Sequence, residues 1–218
     1  MIYLDNAATS FHKPDCVPRA VVEAMQHAGN SGRGSSGEAM AASRLIFNTR
    51  CQIAEMFDVW GPECVAFTSN DTEALNIALQ GTLHPEEGTI HAICTEMDHN
   101  SVLRPLYRLE KKGMELTILP ADRKGRISLT ELEAAIRPET KVIVCTHASN
   151  LTGNLNDIHA IGEIAQKHQK LFIVDAAQTA GVFPISMKKD HIDILCFSGH
   201  KGLMGPQGTG AICVRPGV

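Results

Sequence analysis

From about Cys64 onward, short runs of aliphatic and β-branched residues alternate with longer stretches whose apolar positions recur at helical spacing. CVAF is followed by TEALNIALQG, TIHAIC by NSVLRPLYRLEKKG, ELTIL by SLTELEAAI and KVIVC by DIHAIGEIAQKH, and LFIVD closes the series. This βα rhythm predicts an open α/β sheet. VIVC and LFIV are apolar at every position, as expected of parallel strands covered by helices on both faces, and connections of this length suit parallel crossovers. Ser128 and Glu131 form a capping box ahead of Leu132 and Ile136, and Gly113 follows Lys111 and Lys112 where a helix should stop. Before Cys64 the pattern differs: a helix from Val17 to about Ala28, a Gly/Ser-rich loop from Gly29 to Gly37, and a second helix from about Met40 to Phe57. Residues 1–60 are therefore expected to form an N-terminal arm with helices, and residues 61–218 a larger domain. After Asp175 the pattern shortens to a strand at Ile192 to Phe197, a glycine-rich loop from Gly199 to Gly210, and an apolar run at Ala211 to Val214.

At 218 residues the chain is long enough to bury a sizeable core without covalent staples. Hydrophobic residues at 44% and charged residues at 20% argue against a disordered or fibrous chain. A formal charge of −4 supplies no global basic field for nucleic acid or an anionic membrane, so neither partner is expected. No apolar run approaches the roughly 18 residues of a membrane span, and the first residues lack the charged and apolar regions of a secretory signal, so a cytoplasmic address is expected. Seven scattered cysteines without a CxxC pair read as reduced thiols in a core.

In an open α/β sheet, ligands gather outside the carboxyl ends of the strands, which directs attention to the polar residues after each apolar run. Five such ends stand out: TSNDTEALN, TEMDHNS, THASNLTGN, DAAQTAG and SGHKGLMGPQGTG. The first opens a helix at Thr68 to Thr72, where unpaired amides and the Thr72 hydroxyl suit a phosphate, although a plain helix cap by Ser69 or Asp71 explains the same residues. Asp175 places a carboxylate at a buried strand end and needs a cationic partner; a metal, a ribose hydroxyl, a protonated pyridine nitrogen or a structural salt bridge would each serve. Lys201, between His200 and Gly202, could attack a carbonyl if its site were partly desolvated, whereas most loop lysines are merely solvated. The Gly205 to Gly210 run is not a GxGxxG turn leading into a helix, and no P-loop, HExxH or GxSxG sequence occurs. The histidines do not assemble at metal-ligand spacing, and Asp98-His99 and Asp190-His191 offer only single ligands.

Taken together, YLDNAAT, FTSNDTEALN, DHNSVLRP, HASNLTGN, VDAAQTAG and SGHKGLMGPQGTGAI resemble, in order and spacing, the class V aminotransferase family of fold-type I pyridoxal phosphate enzymes, and within it the cysteine desulfurase and selenocysteine lyase branch. The resemblance implies a three-layer α/β large domain with a mostly parallel central sheet and pyridoxal 5'-phosphate as cofactor. By the same resemblance, Lys201 forms the Schiff base and moves the α-proton, while Asp175 binds the pyridine nitrogen and keeps the ring an electron acceptor. His99 stacks on the ring and relays protons. Gln178 and Asn150 flank the ring hydroxyl, Asn150 also lying near the substrate carboxylate. Thr72, the amide at Asp71, Ser198 and His200 hold the phosphate. Asp71 departs from the family, which usually has a small neutral residue there. A carboxylate beside a phosphate is repulsive unless it points away, so a capping role for Asp71 is the alternative.

The implied reaction turns L-cysteine into L-alanine and an enzyme persulfide, with cysteine or selenocysteine as the small amino-acid substrate, a homodimer as the assembly and a sulfur-acceptor protein as a further partner. Selenocysteine lyase, kynureninase-like, epimerase or aminotransferase chemistry on the same cofactor remains open, as does a non-catalytic assembly module. In the family the sulfur-accepting cysteine, the arginine that grips the substrate carboxylate and the C-terminal small domain lie well downstream of the lysine. No cysteine here matches that position and Arg215 is too near Lys201, so mainly the cofactor-binding portion is expected, without the small domain.

Overall fold

The structure is a computed structural model that describes residues 2–32 and 34–218; Met1, and Arg33 of the predicted Gly/Ser-rich loop, lie outside the described residues. Two helices, α1 (Cys16–His27) and α2 (Gly37–Met56), precede an alternation of strands and helices. The strands are β1 (Val65–Thr68), β2 (His91–Thr95), β3 (Glu115–Leu119), β4 (Thr140–Thr146), β5 (Leu171–Asp175), β6 (Ile194–Ser198) and β7 (Gly210–Val214). Between them lie α3 (Asp71–Thr82), α4 (Asn100–Glu110), α5 (Leu129–Ala135) and α6 (Ile158–Lys167). All seven strands form one sheet in the order β1-β7-β6-β5-β4-β2-β3. β7 is antiparallel to both neighbours, so β1 through β6 share one direction and their carboxyl ends meet at one edge.

The unbroken apolar runs have the physical meaning expected of them. Along β4, Val142 and Val144 enter one core with α3 and α4, while Ile143 and Cys145 enter the other with α5 and α6. β5 divides likewise, Phe172 and Val174 to one side and Ile173 to the other. Period-two alternation thus feeds two apolar layers, and the three-layer α/β architecture follows. The end of α2 joins the layer of α5 and α6 through Ala54, with Phe57 just beyond it. By contrast, α1 buries none of its residues.

Several boundaries shift for local reasons. The second helix begins at Gly37, inside the stretch expected to be loop, because the Ser36 side chain accepts a hydrogen bond from the Ala39 amide. β6 starts two residues later than expected because the Asp193 carboxylate is bound to the Phe172 amide and Arg215. Ser128 caps α5 as predicted, accepting from the Glu131 amide. Cys94, Cys145, Cys196 and Cys213 are buried free thiols; Cys51 and Cys64 are half-buried. Cys16 corrects the expectation of core thiols, since it opens α1 and is exposed. Among the described residues no helix is long and apolar enough to cross a membrane.

Candidate functional site

At the shared carboxyl edge of the strands the polar ends converge on a cavity of about 190 Å³. Asp71, Thr72, His99, Asn150, Asp175, Gln178, Ser198, His200 and Lys201 all line it, so every residue singled out for a site is brought to one place. Ala8, Ser101 and Thr146 line it as well, and none of these three is among the residues expected there. Among the described residues, no cysteine borders the cavity and no group of three metal-ligating side chains could hold an ion.

The helix start behaves differently from the simple cap reading. Asn70, not Ser69 or Asp71, caps α3: its backbone is extended and its side chain accepts from the Glu73 amide at 2.9 Å. Ser69 instead donates its amide and hydroxyl to the Glu73 carboxylate. Asp71 lies inside the first turn with its side chain buried, and its amide donates to Ser198 Oγ at 3.2 Å. Gly210 permits this meeting of α3 with the end of β6, because a Cβ there would lie within 3 Å of the Asn70 backbone. The result is a helix N-terminus, two hydroxyls and His200 grouped where a phosphate would be welcome.

On the opposite wall, His99 caps α4, its Nδ1 accepting from the Ser101 amide at 3.2 Å. An accepting Nδ1 assigns the proton of a neutral ring to Nε2. Ser101 Oγ lies 2.9 Å from that Nδ1 and 2.8 Å from Thr72 Oγ1, which ties the predicted stacking histidine to the predicted phosphate threonine. Beneath His99, the buried Asp98 carboxylate accepts from the Thr95 amide and hydroxyl and from the Thr146 amide, lacing the ends of β2 and β4 together. Burial pushes Asp98 up to about 7 despite these donors.

The N-terminal segment, a motif without an assigned role in the sequence, forms part of the wall. Ala7 O accepts from Gln178 Nε2 at 3.0 Å. Ser10 donates both its amide and its hydroxyl to His200 O, and the Thr9 hydroxyl donates to the same oxygen at 3.2 Å. Since Thr9 Oγ1 spends its proton there, His200 Nδ1, 2.9 Å away, is the donor in their contact. Desolvation, with Lys201 and Lys13 nearby, lowers the His200 titration and favours the neutral ring.

Asp175, only 2% exposed, receives the Ala177 amide at 2.9 Å. Desolvation raises its titration above the ordinary carboxylate range, offset by the Ala177 amide and by the charges of Lys201 and His99. A buried carboxylate so placed fits a cationic ring nitrogen, and a lysine on the same cavity fits an aldehyde. The donor set therefore suits pyridoxal phosphate, with Asp71 the one element at odds with a dianionic ligand.

The comparisons with known proteins agree with this geometry. The family model of class-V aminotransferases matches residues 2–218. The cysteine desulfurase IscS of Vibrio atlanticus is 37% identical over 98% of this chain and 53% of its own length. A putative cysteine desulfurase, IscS 1, of Bacillus subtilis is 36% identical over 96% of this chain and 55% of its own. Among solved structures, the apo cysteine desulfurase of Thermococcus onnurineus superposes with a TM-score of 0.90 at 34% identity, covering 99% of this chain and 54% of that one. A structure described as SspA in complex with cysteine gives a TM-score of 0.89 at 32% identity, covering 99% of this chain and 62% of that one. The chain belongs to the class-V aminotransferase family, and its fold is that of cysteine desulfurases. It spans about half the length of the curated relatives it matches.

Proposed function

We propose that this chain is the cofactor-binding part of a pyridoxal-phosphate-dependent cysteine desulfurase, acting on L-cysteine to leave L-alanine and a sulfur atom for a thiol acceptor. The observation that carries the reading is the convergence of all nine candidate residues on one cavity at the carboxyl edge. Its relatives' names supply the substrate: curated neighbours are cysteine desulfurases, and one structural neighbour holds cysteine. When bound, the cofactor supplies an electron sink for the bond broken at the substrate α-carbon.

The residues of the chain divide the work. Lys201 Nζ would hold the cofactor through its carbonyl, and the same amine would be placed to carry the substrate α-proton. Asp175 holds the proton of the ring nitrogen, because a buried carboxylate makes loss of that proton costly. His99, anchored by Ser101, would cover the cofactor ring and offer Nε2–H to substrate. Gln178, fixed by Ala7, and Asn150 orient the ring hydroxyl. The α3 amides, Thr72, Ser198 and His200 orient the phosphate. The sulfur acceptor is placed outside this cavity, which no cysteine among the described residues borders. By likeness to the family we place the working enzyme in the cytoplasm as a homodimer.

Spectroscopy of the purified chain with added pyridoxal phosphate tests this. A visible absorbance distinct from free cofactor is expected, lost in Lys201→Ala and altered by L-cysteine far more than by L-glutamate. A wild-type spectrum identical to free cofactor, or one unchanged in Lys201→Ala, rejects the reading.

A further inference from the structure

Asp71 is the residue that the proposed cofactor site does not explain. It is 6% exposed, and its Oδ1 is buried without a hydrogen-bond partner. Its carboxyl lies side by side with that of Asp175, whose own Oδ1 is already occupied by the Ala177 amide. The surrounding groups cannot neutralise two anions. Lys201 and His99 are the cationic candidates facing the pair, while Asp98 adds a third buried carboxyl near Asp175, and the Cys196 thiol is pushed up by its burial and, further, by both aspartates. Among the described residues neither Asp71 nor Asp175 forms an ion pair. An ionised carboxylate with an orphaned buried oxygen beside another carboxylate would be doubly penalised, whereas a neutral acid donating to its neighbour is satisfied by it.

We propose that Asp71 is a positioning residue held as the neutral acid, sharing one proton with Asp175, so that the pair carries a single negative charge toward the cofactor's ring nitrogen and adds none beside its phosphate. The direction of both titrations agrees: burial raises each, the contact raising Asp71 further and holding Asp175 down as the ionised member. The proton has two consequences. It lets a carboxyl occupy the first turn of α3 without repelling a phosphate at the same helix end. It also makes Asp175 a weaker base than a lone buried carboxylate, because its charge is partly spent on the Asp71 hydroxyl. Loss of the shared proton at alkaline pH places a second anion in the site and weakens cofactor binding.

This inference rests on the cofactor reading, and the experiment separates the two. The infrared difference spectrum of cofactor-free wild type minus Asp71→Asn at neutral pH should contain the carbonyl band of a neutral carboxylic acid, which disappears as pH rises. Asp71→Asn keeps shape and neutrality, so its cofactor affinity should match wild type at low pH. Above the pH at which the band is lost, wild-type affinity should fall relative to Asp71→Asn by about tenfold per pH unit, the limit for one linked proton. Asp71→Ala should follow Asp71→Asn, which guards against a misfolded variant. Absence of the band at neutral pH, or an affinity ratio that stays flat across the pH range in which the band vanishes, overturns the proposal. A wild type without Lys201-dependent absorbance rejects the cofactor reading instead, and the infrared band still decides whether the pair shares a proton.

Discussion

The two edges of the sheet handle buried polar groups in opposite ways. At the amino edge the buried groups Asp193 and His91 are matched. The buried Asp193 carboxylate holds the Phe172 amide at 2.8 Å and the Arg215 guanidinium, and more exposed pairs lie at the same edge, Glu115 with Arg137 and Asp58 with Ser186 and Lys188. His91, fully buried, meets Thr140 Oγ1 and Thr117 Oγ1, one at each ring nitrogen. At the carboxyl edge Asp71, Asp98 and Asp175 are as deeply buried, none forms an ion pair among the described residues, and burial raises the titration of all three; Asp98 is held by three hydrogen bonds, whereas Asp71 keeps an unpartnered Oδ1. Matched groups hold the sheet together, and unmatched ones are strained unless a ligand completes them. One sheet thus keeps its stability at one edge and its chemistry at the other.

Damage at the amino edge should therefore unfold the protein without touching the site. Asp193→Ala leaves the Phe172 amide and Arg215 without their acceptor and should cost about 3 kcal/mol of stability in urea unfolding. The spectrum of the protein that remains folded with pyridoxal phosphate should be unchanged; a loss of cofactor binding beyond the loss of folded protein would merge the two edges. The next largest effect tests the carboxyl edge through pH. Asp98 titrates at about 7 in the folded chain, above the unfolded carboxyl range, so protonation favours folding: the stabilisation is complete below about pH 4 and gone above about pH 7. Between pH 5 and pH 8 the wild type should lose about 2 to 3 kcal/mol relative to Asp98→Asn, which has no such proton to lose. Identical pH dependence in the two proteins would assign Asp98 an ordinary exposed-like titration.

Much of this was legible from residues alone, and what was not has identifiable causes. Val142 to Cys145 and Phe172 to Val174 announced a doubly covered sheet because period-two burial on both faces leaves no polar position. The strand-end rule then collected Asp175, Lys201 and His99, since carboxyl ends of parallel strands share an edge whatever the order of strands. Ser101 is not legible in the sequence, because a serine two residues after a histidine signals nothing until a helix start brings its amide and hydroxyl onto Nδ1. The contacts of Thr9 and Ser10 with His200, about 190 positions away, leave no local pattern to read. Asp71 looked like a cap because aspartates at helix starts commonly are; Asn70, one residue earlier and in extended conformation, already holds that place.

The smallest effect probes that long-range contact, where the two edges blur, since the N-terminal segment crosses the carboxyl edge but is held by ordinary hydrogen bonds. Thr9→Val keeps the shape and removes the hydroxyl that donates to His200 O and receives His200 Nδ1–H. Ser10 still binds His200 O through its amide and hydroxyl, so the backbone should stay in place. What is lost is the ring's reason to keep its proton on Nδ1. Nitrogen chemical shifts of the imidazole should show the Nδ1–H form dominant in wild type and a mixture of tautomers in the variant. Stability should change by no more than about 1 kcal/mol, and affinity for pyridoxal phosphate should fall about threefold to fivefold, the worth of one neutral hydrogen bond. If the tautomers change while affinity does not, His200 takes no part in holding the phosphate, and the segment belongs with the matched groups that stabilise the fold. If affinity falls with the tautomer ratio unchanged, Thr9 acts on the ligand by another route, and the ordering of His200 by this segment is wrong.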